Sequence, residues 1–221
     1  MSDPIGVPGS SDAAPVVEAE PDVAAALFGD RIDLARAFTA DLARRGEELG
    51  LIGPLELPRL WTRHIVNCAI VAPLLRPGRV GDVGSGAGLP GIVLAIARPD
   101  VDFVLIEPME RRVAWLEEQK QLLGLSNVTV VRARAEDYRP AEKLDQVTAR
   151  AVSAFSKLIP LCVPLARSGG ELVLMKGAGA ANEIAAAEKA IRKYRLSDVE
   201  VLELGGADGV EVTRVIRAQV P

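Results

Sequence analysis

The chain has a single histidine, His64, and two cysteines, Cys68 and Cys162, among its 221 residues. One histidine excludes a His-based metal site formed by this chain alone. Two cysteines exclude a disulfide scaffold and a cysteine-rich zinc site. Aromatic residues are scarce, at 4%, so a core must be built mostly from Ala, Val, Leu and Ile. No uncharged apolar run reaches the roughly 18 residues of a membrane span. The N-terminus also lacks the basic-then-apolar order of a secretory signal. Apolar residues nonetheless make up 49% of the chain, which suffices for one sizeable core and excludes global disorder. The expectation is a cytoplasmic protein without a metal or a membrane contact.

Basic residues are missing from one stretch in particular. Residues 1–30 carry six acids and no Lys or Arg. Removing those six from the 30 acids leaves 24 against 26 bases, a net of +2 where the whole chain has −4. The acidity is thus concentrated at the N-terminus, and a local basic face elsewhere can serve a polyanion.

Residues 1–21 hold Pro4, Pro8, Pro15 and Pro21 with few large apolar groups, a composition that predicts a disordered tail. Residues 22–78 read as a helical segment. Ile32, Ala35, Phe38, Leu42 and Leu49 mark one helix, and Leu57, Trp61, His64/Ile65, Cys68, Ala72 and Leu75 a second,. From residue 79 to 221 strands and helices alternate. Strands are expected at Arg79–Val83, Val101–Ile106, Val128–Arg132, Leu144–Ala149 and Glu171–Met175, with helices between and after them. Ser197–Leu204 and Val210–Arg217 flank a glycine-rich turn and read as an antiparallel pair,. The fold class is α/β: a mostly parallel, doubly wound Rossmann-like sheet with a C-terminal antiparallel hairpin, preceded by N-terminal helices. That is the layout of class I S-adenosylmethionine-dependent methyltransferases.

The stretch Asp82-Val-Gly84-Ser-Gly86-Ala-Gly88-Leu89-Pro90-Gly91 follows a strand and opens a helix. Glycines there permit a tight turn and close approach of a ligand to the backbone. The pattern also satisfies the dinucleotide fingerprint, and Glu107 lies where either cofactor class places an acid for ribose hydroxyls. Asp82 favours S-adenosylmethionine: its carboxylate would repel a pyrophosphate and attract a sulfonium cation. Ala135 and Glu136 follow the third strand, where an adenine would lie. A nicotinamide-dependent oxidoreductase is the competing reading.

Arg150 and Lys176 end strands at the ligand-binding edge. Arg150 is the candidate for aligning reactants, with no general base assigned. Arg63, His64, Arg134 and Lys176 are candidate RNA contacts, against plain readings as a packed histidine and solvated cations. Arg111, Arg112 and Arg132 extend a possible basic rim. Trp61 and Trp115 read as core, and both cysteines as small buried hydrophobes.

Trp61-Thr-Arg63-His64-Ile65, the glycine loop, Ala149-Arg150-Ala151 and Leu174-Met-Lys176-Gly177 together resemble the bacterial ribosomal RNA small subunit methyltransferase G family, also called glucose-inhibited division protein B. The resemblance runs from about Arg44 to Arg217, and Gly50-Leu51-Ile52-Gly53-Pro54 looks like its actinobacterial branch. It implies methyl transfer from S-adenosylmethionine to N7 of a guanine in 16S rRNA near the decoding region. It also implies that Gly84, Leu89, Ala135, Glu136 and Arg150 occupy cofactor-contact positions. The expected partner is 16S rRNA or the small ribosomal subunit, met by a monomer. Departures are Gly50-Leu51-Ile52, where many relatives have Asn-Leu-Thr, and Asn67-Cys68, where many have Asp-Ser. A small-molecule methyltransferase and a non-catalytic RNA-binding module stay open as alternatives.

Overall fold

The structure is a computed structural model and describes residues 16–207 and 210–221. Of the expected N-terminal tail, residues 1–15 lie outside the described residues. The rest is tied down, contrary to that expectation: Glu18 N–H donates to the Leu57 carbonyl at 3.0 Å, and Glu20 pairs with Arg36 at 2.6 Å. A short helix that the sequence pattern did not announce follows, α1 (Val23–Phe28), burying Ala24 and Phe28. Next comes α2 (Ile32–Arg45), whose buried Ala35, Phe38 and Leu42 are the predicted stripe.

The second predicted helix is broken into pieces. Pro54–Arg59 is a 3₁₀ stretch, Leu60–Val66 a π-helical turn, Asn67–Ala69 the short α3, and Ala72–Leu74 a 3₁₀ turn. Pro58 and Pro73 lack the N–H that a regular helix needs. Burial follows the stripe all the same: Leu57, Trp61, Ile65, Cys68, Ala72 and Leu75 are all in the core.

Seven strands form one sheet in the order β3-β2-β1-β4-β5-β7-β6. They are β1 (Gly78–Val83), β2 (Val101–Ile106), β3 (Val128–Val131), β4 (Leu144–Arg150), β5 (Ala166–Lys176), β6 (Ser197–Leu204) and β7 (Thr213–Gln219). The first five run parallel, and β7 lies antiparallel between β5 and β6. Strand β5 is longer than predicted. Strand β7 starts three residues late, because Val210–Val212 belong to the connecting loop. Helix α4 (Gly91–Ala97) joins α1, α2 and α5 (Glu110–Leu122) on one face of the sheet. Helices α6 (Phe155–Cys162), α7 (Ala180–Ala186) and α8 (Glu188–Tyr194) cover the other. The last two replace one predicted helix and part at Ala187. The N-terminal helices thus share one core with α4 and α5, in which Phe38 and Trp115 pack with ring centroids 6.4 Å apart.

A buried carboxylate ties that layer together. Asp41 on α2 accepts hydrogen bonds from Arg44, Arg45 and Gln119, the last on α5 at 2.7 Å. Burial pushes its carboxyl up, but these donors outweigh burial and hold it below the usual value. A carboxylate depressed on folding stabilises above its unfolded value of about 3.9, and that contribution is lost as pH falls through the folded value. Asp41→Asn is therefore expected to cost about 1.5–3 kcal/mol at neutral pH, the range for charged hydrogen bonds. Urea titration checks this: the gap between variant and wild type must narrow as the pH is lowered towards the carboxylate range.

Candidate functional site

The chain runs outward from β1 through β2 to β3, then returns to place β4 on the other side of β1. Such a reversal opens a crevice at the carboxyl ends of the two central strands. The glycine loop after β1 and Arg150 at the end of β4 meet there.

Two buried carboxylates hold the loop from below. Asp82 Oδ2 accepts the Gly91 N–H at 3.0 Å, pinning the start of α4. Glu107 accepts the Gly86 N–H through Oε2 at 2.9 Å and the Met109 N–H through Oε1 at 3.0 Å. At Gly91 an added Cβ would lie 2.3 Å from Leu105 Cδ2 and 2.5 Å from Asp82 Oδ2, so glycine is required for this close approach. Gly86 differs. Its φ is +55°, and an added Cβ would meet nothing nearer than 3.8 Å. The loop leaves space there.

That space is a cavity of about 350 Å³ lined by Gly84, Ser85, Gly86, Leu89, Arg112 and Arg150 on the sheet side. Leu51, Ile52, Gly53, Glu56 and His64 from the N-terminal segment form the opposite wall. Its volume is within the range of roughly 300–1,000 Å³ for small-molecule sites. A wider cavity of about 890 Å³ adjoins it, lined by Arg63, Asn67, Lys176, Thr213 and Arg214 among others. Arg150 and Ala151 line both.

Several expected residues sit elsewhere than the sequence argument placed them. Asp82 does not line the cavity: it is fully buried under the loop, and Oδ1 has no partner among the described residues. Burial pushes its carboxyl up to about 7. The direct carboxylate–cation contact expected of Asp82 is therefore replaced by loop anchoring, because its side chain points to the face where α4 begins. Gly88 is buried against Ile92 and Leu116. Ala135, Glu136 and the exposed Arg134 follow β3 at the same sheet edge, outside both cavity linings.

Lys176 lines the wider cavity but is held in an ion pair. Its side chain is 6% exposed, and Nζ contacts Glu183 Oε2 at 2.8 Å and donates to the Ser153 carbonyl at 2.7 Å. Glu183 also accepts the Phe155 N–H at 2.7 Å, so this group fixes the loop between β4 and α6. Arg63 is half exposed in the wider cavity, with Nε 3.2 Å from Glu56 Oε2.

His64 is buried, and both ring nitrogens are engaged. Nε2 lies 2.6 Å from Glu56 Oε2, and Nδ1 lies 2.7 Å from Arg150 Nη2. Sequence reading missed Glu56, which reaches His64 through the 3₁₀ stretch and the π-helical turn. Eight residues keep one face of a regular helix but lie about 12 Å apart along it, too far for this contact. Sequence reading placed Arg112 with a basic rim, and Arg112 lines the inner cavity.

A ligand whose backbone contacts are Gly84 and Gly86 fits these features; Glu107 is buried outside both linings, beside the cavity through its bond to Gly86. Gly86→Asp fills the open space with a charged side chain. Its expected result is a folded protein by circular dichroism that no longer binds S-adenosylmethionine in calorimetry. Normal binding by the folded variant would reject the site.

Known proteins bear on this arrangement. N-methyltransferase NodS from Bradyrhizobium japonicum WM9, solved in complex with S-adenosyl-L-homocysteine, superposes with a TM-score of 0.55 over 83% of this chain and 98% of its own, at 18% identity. That likeness concerns the fold. Ribosomal RNA small subunit methyltransferase G of Clavibacter michiganensis subsp. michiganensis is 71% identical over 205 residues, covering 93% of this chain and 97% of its own. The protein of the same name from Pseudarthrobacter chlorophenolicus is 51% identical over 206 residues, covering 93% and 95%. The family model described as rRNA small subunit methyltransferase G matches residues 31–210, which include the glycine loop, Glu56, His64, Arg150 and Lys176. With strands β1 to β6, the loop and the wall of the inner cavity inside that match, the chain belongs to the rRNA small subunit methyltransferase G family.

Proposed function

We infer that this protein transfers a methyl group from S-adenosylmethionine to N7 of a guanine in 16S rRNA near the decoding region. The observation that carries this reading is the pair of cavities meeting at Arg150, on a chain of this family. The inner cavity takes the cofactor and the wider one admits the base. The substrate is 16S rRNA, met free or within the small ribosomal subunit in the cytoplasm. Arg63 at the wider cavity and Arg134 beyond β3 are suited to phosphate contacts.

S-adenosylmethionine, when bound, supplies an electrophilic methyl on a sulfonium. The backbone at Gly84 and Gly86 leaves room for it, and Glu107 keeps lone pairs for ribose hydroxyls beyond the two amides it already accepts,. Guanine N7 carries an available lone pair on the major-groove edge, so no side chain has to remove a proton. The protein's task is to hold two reactants in line and exclude water. His64 is not free to act as a base, since both nitrogens are occupied. A target base must leave its stack to enter.

Incubation with labelled S-adenosylmethionine, naked 16S rRNA and isolated small subunits tests the reading. Label is expected at N7 of one guanine. Turnover without RNA would favour a small-molecule methyltransferase, and RNA binding without transfer a non-catalytic module. Glu107→Ala is expected to weaken cofactor binding about 5- to 150-fold, equivalent to roughly 1–3 kcal/mol. Loss of NAD binding with unchanged S-adenosylmethionine affinity would instead favour the oxidoreductase. Arg150→Ala is expected to slow single-turnover transfer on the order of 100-fold with both reactants saturating, the scale of a 1 Å misplacement. A wild-type rate in that variant would remove Arg150 from the chemistry.

A further inference from the structure

The guanidinium of Arg150 has an unusual set of partners. Nη1 donates to Cys68 Sγ at 3.0 Å and to the His64 carbonyl at 3.4 Å. Nη2 donates to the Arg63 carbonyl at 3.2 Å and meets His64 Nδ1 at 2.7 Å. All four acceptors come from residues 63–68, the π-helical turn and the residues just after it. Such turns recur at functional sites because they redirect backbone groups. A thiol, two carbonyls and an imidazole carry no negative charge. Arg150 is therefore held without being neutralised, and it presents a full positive charge where the two cavities meet.

The chemistry of donors and acceptors fixes the state of His64. Arginine can only donate, so Nδ1 must be the unprotonated nitrogen. A neutral imidazole then carries its proton on Nε2, which donates to Glu56 Oε2 at 2.6 Å. A carboxylate on one ring nitrogen selecting the tautomer at the other is a known device for fixing a ring's orientation. We propose that Glu56 and His64 form a positioning pair for Arg150, with Glu56 fixing the Nε2–H tautomer of His64 and Nδ1 fixing the guanidinium. The proposal rests on the assignment of Arg150 to reactant alignment.

The pair has a direct pH consequence. A proton added at Nδ1 removes Arg150's acceptor and sets two cations face to face. The groups facing His64 are Glu56 from the 3₁₀ stretch, Arg150 from β4, Arg63 and Cys68 from its own segment, and Arg112 of α5 across the cavity. Asp82 lies beyond Cys68. Burial and the charge of Arg150 lower the histidine below 6.5, against the opposing pull of Glu56. The neutral form is thus the active one at and above neutrality. Methyl transfer is flat there and falls only on the acid side of the ordinary histidine value of about 6.5.

The test is single-turnover transfer to small subunits from about pH 5.5 to 8.5, with cofactor affinity and thermal unfolding measured on each full-length variant. His64→Leu, which offers Arg150 no acceptor, is expected to fold and to lose about 100-fold in rate. His64→Gln, neutral and able both to donate and to accept, is expected to stay near the wild-type rate at neutral pH and to lose the acid-side fall. Should His64→Leu fail to fold, the profile of His64→Gln decides alone. An acid-side fall persisting unchanged in His64→Gln would overturn the proposal. So would a folded His64→Leu at the wild-type rate beside a slow Arg150→Ala. Wild-type rates in both of those variants would overturn the alignment role of Arg150 as well.

Discussion

Strand β1 is hydrogen-bonded to β2 on one side and to β4 on the other, and the site depends on this double pairing. The register sets Val83 beside Ile106 and Asp82 beside Thr148. Glu107 therefore emerges next to the glycine loop on one flank, and Arg150 emerges two residues past Thr148 on the other. A slip of one residue in either pairing would turn these side chains to the opposite face. The crevice, the loop conformation and the contact between β4 and the N-terminal segment all follow from that register.

Around this edge, carboxylates bind backbone amides. Asp82 takes Gly91, Glu107 takes Gly86 and Met109, and Glu183 takes Phe155 while pairing with Lys176. Each supplies an acceptor to an N–H at a loop or helix start that regular structure leaves unpaired. The loops that shape the cavities are thereby tied to the sheet edge, which suits a reaction limited by alignment,. Arg150 is treated in the opposite way. Its acceptors are neutral, so its charge remains unspent at the junction of the cavities.

The N-terminal helices contribute to the site itself. They share a core with α4 and α5 through Phe38, Trp61 and Trp115, and they supply one wall of the inner cavity from Leu51 to His64. Of the departures noted in the sequence, Ile52 falls within this wall and Cys68 within the cradle of Arg150. Cys68 there accepts a hydrogen bond through sulfur, a role that a small buried hydrophobe does not describe.

The sequence by itself determined the strands, the glycine loop and the sheet class. Val101–Ile106 and Ser197–Leu204 appear with the predicted bounds, because an apolar run in the first, apolar–polar alternation in the second and the breakers around them are local signals. It also determined which residues of the second N-terminal stripe are buried. It did not determine that this stripe would break into 3₁₀ and π turns, nor that Asp82 would lie beneath the loop and Lys176 in an ion pair. Those outcomes, and the meeting of Glu56, His64 and Arg150, were decided by tertiary structure. Periodicity reports which face of an element is apolar, whereas the direction of a polar side chain is set by the donors and acceptors that distant segments bring to it.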